Sequence, residues 1–142
     1  MAILSKDRIS LQASAIDKAE AIRMAGKLLV DSGCVLPEYV DGMLNRERSM
    51  STSLGVGVAI PHGMDENREQ VLQTGISVLQ LVEGVDWEEN DRVYLVIGIA
   101  ARGDEHVGVL ANLAEAIDNE DNLAEMLKTA DPEVILKYLS PN

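Results

Sequence analysis

The chain has 142 residues, 46% of them hydrophobic, 3% aromatic and none of them Phe, which suits one domain, 1–142, with a core of Leu, Val, Ile, Ala and Met. The formal charge of -12 excludes a nucleic-acid binder, because that task needs a basic stripe. The single cysteine, Cys34, excludes an internal disulfide framework and a cysteine-based zinc cluster, and reads as a small buried hydrophobe. Met1 to Lys6 lacks a basic region followed by an apolar core, so no leader peptide is expected. No apolar run approaches the ~20 residues of a membrane span. The expectation is a soluble cytoplasmic protein whose charge favours a partner with a basic face.

Ile9, Leu11 and Ala13 alternate with polar residues, the pattern of a short strand with one buried face. Ser14 or Asp17 can cap a helix carrying Ala21, Ile22, Met24, Ala25, Leu28 and Leu29, with Gly33 as its stop. Pro37 opens a second helix through Tyr39, Val40, Met43 and Leu44 to Arg46-Glu47-Arg48, weakened by Gly42. A polar loop, Ser49 to Ser53, leads to a buried strand, Val56 to Ile60, that stops at Pro61 or lies at an edge. Thr74 to Leu81 is a strand turned by Glu83-Gly84, Val85 to Trp87 a short strand, and Glu88 to Arg92 an acidic loop. Val93 to Ala101 is apolar throughout, as in a central strand buried on both faces. Gly103 ends it. A helix follows with Val107, Leu110, Ala111, Leu113, Ala114 and Ile117 on one stripe, then one over Asn119 to Thr129 and one from Asp131-Pro132 through Leu139. Strands alternating with helices imply an α/β (α+β) sandwich, a central mixed sheet flanked by helices on both faces.

The chemistry centres on Gly55-Val-Gly-Val-Ala-Ile-Pro-His-Gly63. The pattern delivers His62 to a strand end, with Gly63 free to take a tight or left-handed turn beside it. Alone, this is more often a histidine in a surface turn with no task. His106 strengthens the case, because Arg102-Gly103-Asp104-Glu105-His106 puts it in the first turn of a helix after the central strand, where α/β sites gather. If the two strand ends are neighbours, the imidazoles share a site, and Arg46 can reach the same mouth. Two imidazoles and a guanidinium make a poor metal site, because Arg repels a cation. They make a good phosphate site, with a planar fork of donors and ring N–H groups.

These residues resemble the IIA domain of the bacterial phosphoenolpyruvate-dependent sugar phosphotransferase system, of the mannitol/fructose type. The resemblance runs from about Ala15 to Leu139. It is carried by Leu28-Leu29-Val30 with Gly33, by Tyr39-Val40 with Met43-Leu44 and Arg46-Glu47, and by Thr52, Leu54-Gly55 and Ala59-Ile60-Pro61-His62-Gly63. The block Val96 to Arg102 with Glu105-His106 is most similar to the mannitol branch. The acidic loop at Glu88 to Arg92 is short for that branch.

The resemblance implies a phosphotransferase component that works through a phosphohistidine. His62 takes a phosphoryl group from HPr on Nε2 and passes it to a cysteine of the IIB domain for mannitol uptake and phosphorylation. His106 and Arg46 flank the ring, Thr52 and Gly63 bind or orient the phosphate, and Arg48 is the competitor of Arg46. No metal or cofactor is implied, and membrane contact runs only through IIB. The alternative is a regulatory or fructose-type relative, phosphorylated on the same histidine but acting on other partners. Met1 and a complete fold suit a free-standing subunit, a piece of a larger transporter stays open as the alternative, and the resemblance implies a monomer. Met43, Met64, Val107 and Leu110 are candidates for an apolar docking rim, Met being suited to more than one partner; taken singly, Met43 and Leu110 suit the core better.

Overall fold

Asp17 turns the chain into its first long helix by accepting the Glu20 N–H at 2.8 Å, so a capped start replaces an orphan donor. In this computed structural model, which describes residues 3–140, that helix is α1, Lys18–Asp31. The first two residues of the stretch judged above not to be a leader lie outside the described residues. Among those described, no helix is long and apolar enough to cross a membrane. The other helices are α2 Glu38–Ser49, α3 Glu105–Asp118, α4 Glu120–Lys128 and α5 Pro132–Leu139. The last two start on Asn119 and Asp131, whose side chains accept the N–H groups of Asn122 and Glu133.

The strands are β1 Ile9–Ala13, β2 Val58–Ala59, β3 Gly75–Glu88 and β4 Asp91–Ala100. They form one mixed sheet in the order β1-β3-β4-β2. The outer strands run parallel to their neighbours, while β3 and β4 pair antiparallel. The sheet divides the core into two layers. Leu79, Val96 and Ala100 pack with Ile22, Leu29 and Met43 of α1 and α2. Ile97 and Ile99 pack with Leu113, Met126 and Ile135 of α3, α4 and α5. Helices therefore cover both faces, as expected of a strand like β4 whose side chains from Leu95 to Ala100 are all buried.

Several expected boundaries move. Glu83-Gly84 is not a turn. The strand runs on through a bulge between Gln80 and Val85, with Gly84 at φ 71 taking the backbone conformation that the extra residue requires. The acidic loop shrinks to a tight turn at Glu89-Asn90, since Glu88 pairs with Asp91. The strand expected over Val56 to Ile60 is reduced to Val58–Ala59, and Val56 is half exposed. The stripe on α3 is Val109, Leu113 and Ile117, while Val107 is exposed. Cys34 is fully buried. Gly42, a weak residue inside α2, is there for space: a Cβ would lie 2.2 Å from Oδ1 of Asn67. The 3-10 turn Asp65–Gln70 thus seats directly on α2.

Candidate active site

The sheet order sets two chain segments side by side. β2 lies parallel to β4, so the two strands finish at the same end of the sheet. Pro61 lacks an N–H, yet its carbonyl accepts the Ile99 N–H at 2.9 Å, and pairing continues to His62 opposite Ile99. β4 then passes through Ala101 and Gly103 into α3, whose first turn carries His106. The two imidazoles consequently meet edge to face, with ring centroids 5.4 Å apart and planes at 68°.

Both rings line a cleft of about 340 Å³, together with Arg46, Gly63, Asp65 and Arg68. Arg46 comes from the last turn of α2, where a cation also suits the negative end of the helix dipole. Its Nη1 donates to the Met50 carbonyl at 2.7 Å, which anchors the guanidinium at the cleft. Arg48 points elsewhere and donates to Asn45 Oδ1 at 2.6 Å.

His62 Nδ1 lies 2.8 Å from the Ile60 carbonyl. A carbonyl can only accept, so Nδ1 carries the proton and Nε2 keeps its lone pair. Burial lowers the His62 pKa from its ordinary value, and the nearby Arg46 and His106 push the same way; the Ile60 carbonyl and Glu47 partly oppose them. The ring is therefore neutral near pH 7, with one defined nucleophilic nitrogen.

Gly63 and Thr52 do other work than expected. Gly63 has no positive φ. It is glycine because a Cβ would lie 2.5 Å from Cε1 of the Tyr39 ring. Its N–H donates to the Tyr39 hydroxyl at 2.8 Å, and that hydroxyl donates to the Ile99 carbonyl at 2.8 Å. Thr52 is buried and does not line the cleft. Its Oγ1 donates to Glu47 Oε1 at 2.5 Å and its N–H to the same carboxylate, which also accepts the Trp87 indole N–H at 2.9 Å. The Thr52 carbonyl in turn accepts the Ile60 N–H at 3.0 Å. Thr52 thus positions the segment whose Ile60 carbonyl sets the His62 tautomer, without touching the ring.

Of the proposed docking residues, Met43 is fully buried and belongs to the core. Leu110 is partly buried against the α3–α5 layer. Met64 lines the cleft and Val107 is 73% exposed. Sequence reasoning overlooked Tyr39, which reads as one more apolar helix residue, and Arg68, whose acidic neighbours suggest only a solvated surface.

Residues 2–142 match the family described as phosphoenolpyruvate-dependent sugar phosphotransferase system, EIIA 2. The chain belongs to this family. The chain is also 44% identical over 137 residues to a mannitol-specific phosphotransferase enzyme IIA component of Halalkalibacterium halodurans, covering 96% of this chain and 94% of that protein. It is 45% identical over 140 residues to a mannitol-specific EIICBA component of Pasteurella multocida, covering 96% of this chain but only 22% of that longer protein. The EIIA 2 fold superposes on one chain of the solution complex of enzyme IIA-mannitol and phosphorylated enzyme IIB-mannitol from Escherichia coli with a TM-score of 0.90, at 43% identity, covering 96% of this chain and 96% of that one.

Proposed function

We propose that this EIIA 2 chain is a cytoplasmic phosphocarrier for mannitol uptake, acting as one domain over 1–142. His62 Nε2 attacks the phosphorus of phospho-HPr. The new N–P bond forms as the donor's bond to phosphorus breaks. A cysteine thiolate of the IIB domain then attacks the same phosphorus and releases His62. The transition state is loose, with charge on the equatorial oxygens. Arg46 and a donor from His106 stabilise that charge.

The observation that carries this reading is the 2.8 Å contact from His62 Nδ1 to the Ile60 carbonyl. It commits one nitrogen to orientation and leaves the other for phosphorus. The mannitol assignment is supported by the names of the relatives at 44% and 45% identity. The IIB partner is supported by the Escherichia coli complex.

The test mixes the chain with labelled phosphoenolpyruvate, enzyme I and HPr. Wild type takes up acid-labile label and passes it to a mannitol-type IIB domain in preference to a fructose-type one. His62→Gln takes up none. Label on the His62→Gln variant at the wild-type level overturns the assignment.

A further inference from the structure

Arg68 is an unassigned cation in the cleft. It sits on the 3-10 turn Asp65–Gln70, which follows His62-Gly63. The backbone there is fixed: Asn67 Oδ1 accepts the Met64 N–H at 2.9 Å and presses on Gly42 of α2. The Arg68 side chain is held by no such bond. It is 64% exposed, and among the described residues its guanidinium makes no hydrogen bond. Its ion-pair partner is Asp65, also in the cleft, with Nη2 to Oδ1 at 3.7 Å and Asp65 fully exposed. So open a pair holds weakly. Arg46 differs, because the Met50 carbonyl already occupies one arm.

A phosphoryl group on His62 brings three strongly accepting oxygens and close to two negative charges into this cleft. Such a group competes well against a single solvated carboxylate for a guanidinium, since two of its oxygens match the planar fork. Resting on the phosphocarrier reading above, we propose that Arg68 is a further phosphoryl-binding residue, paired with Asp65 in the free protein and transferred to the phosphoryl oxygens when His62 carries them. Asp65 is then the competitor that keeps Arg68 from trapping the group, so that it can still move on to the acceptor.

The experiment compares wild type, Arg68→Gln, Arg68→Lys and Asp65→Asn, all surface changes that leave the core intact. Uptake of label from phospho-HPr is measured first. The phosphorylated full chain, freed of partners, is then titrated by 31P NMR. Arg68→Gln is expected to slow uptake about tenfold. It should also raise the pH at which the bound phosphoryl group protonates, by about threefold in the ionisation constant, because a cation beside it has been removed. Arg68→Lys restores part of both effects, and Asp65→Asn moves the titration in the opposite direction. An unchanged titration in Arg68→Gln overturns the proposal even if uptake falls, since Arg68 then touches the donor protein and not the phosphoryl group. In that case the phosphocarrier reading stands. Failure of wild type itself to take label removes that reading and this proposal together.

Discussion

Gly63 lies so close to the Tyr39 ring that a Cβ would come within 2.5 Å of Cε1, and its N–H donates to the Tyr39 hydroxyl at 2.8 Å. The same hydroxyl reaches the Ile99 carbonyl, opposite His62 in the sheet. One buried phenol therefore joins α2, the end of β4 and the residue after the histidine. Burial raises the Tyr39 pKa, with the Gly63 contact opposing it, so the hydroxyl keeps the proton this bridge needs.

Gly63→Ala is accordingly expected to be a packing lesion at the site. The Tyr39 ring is 4% exposed and has nowhere to go. Overpacking of this kind costs about 1–3 kcal/mol. Chemical denaturation should show a lower midpoint, and label uptake should fall because the His62 backbone shifts. A variant as stable and active as wild type would mean that Tyr39 yields freely.

Glu47→Gln tests the polar tie beneath the site. The carboxylate is 5% exposed and receives the Thr52 N–H, the Thr52 hydroxyl and the Trp87 indole. An amide offers one acceptor oxygen and turns two donors toward groups that are donors themselves. The expected loss is about 1–3 kcal/mol. Trp87 is the single tryptophan, so its emission reports the change directly. Thr52→Val should cost less than additively when combined with Glu47→Gln, because both remove the same contact. Full additivity in that double-mutant cycle would dissolve the network.

Acid titration follows from the lowered His62 pKa. The unfolded chain binds this proton near pH 6.5, before the folded protein does. The contribution of neutral His62 is therefore complete above about pH 6.5 and is lost as the pH falls through the lower folded value. Stability should decline over that window, and His62→Gln should remove this part of the slope. Label uptake should hold its plateau below pH 6.5, where a free imidazole is already protonated. Uptake that falls with a midpoint at or above 6.5 would contradict the shift.

Much of this was readable from local rules. Asp17, Asn119 and Asp131 announce their helices because capping is a matter of a few adjacent residues. The apolar run in β4 announces burial on both faces. What the sequence hides is non-local. The bulge that carries β3 past Gly84 is fixed by its partner β4, and glycine alone reads as a turn. The parallel pairing of β2 with β4, which brings His62 to His106, rests on residues far apart in the chain. Tyr39 and Thr52 act through contacts with segments that no spacing rule connects to them. Gly63 was legible as necessary but not for its true reason, which is the ring beside it and not a turn.

Arg46 and His106 make the last prediction, since each does two things to His62. Both disfavour the imidazolium form of His62, which helps keep that ring neutral. Both also line the cleft beside His62, where the proposed phosphoryl group would sit. Arg46→Gln should therefore fold, slow label uptake by about 10²–10³-fold, and raise the His62 pKa seen by NMR. Arg46→Lys keeps the charge but loses the fork, so it should restore the pKa more fully than the rate. His106→Gln should follow the same pattern with a smaller rise, because its effect on His62 is weaker than that of Arg46. Equal recovery of pKa and rate in Arg46→Lys would reduce Arg46 to a point charge and remove the requirement for planar recognition of the phosphoryl oxygens.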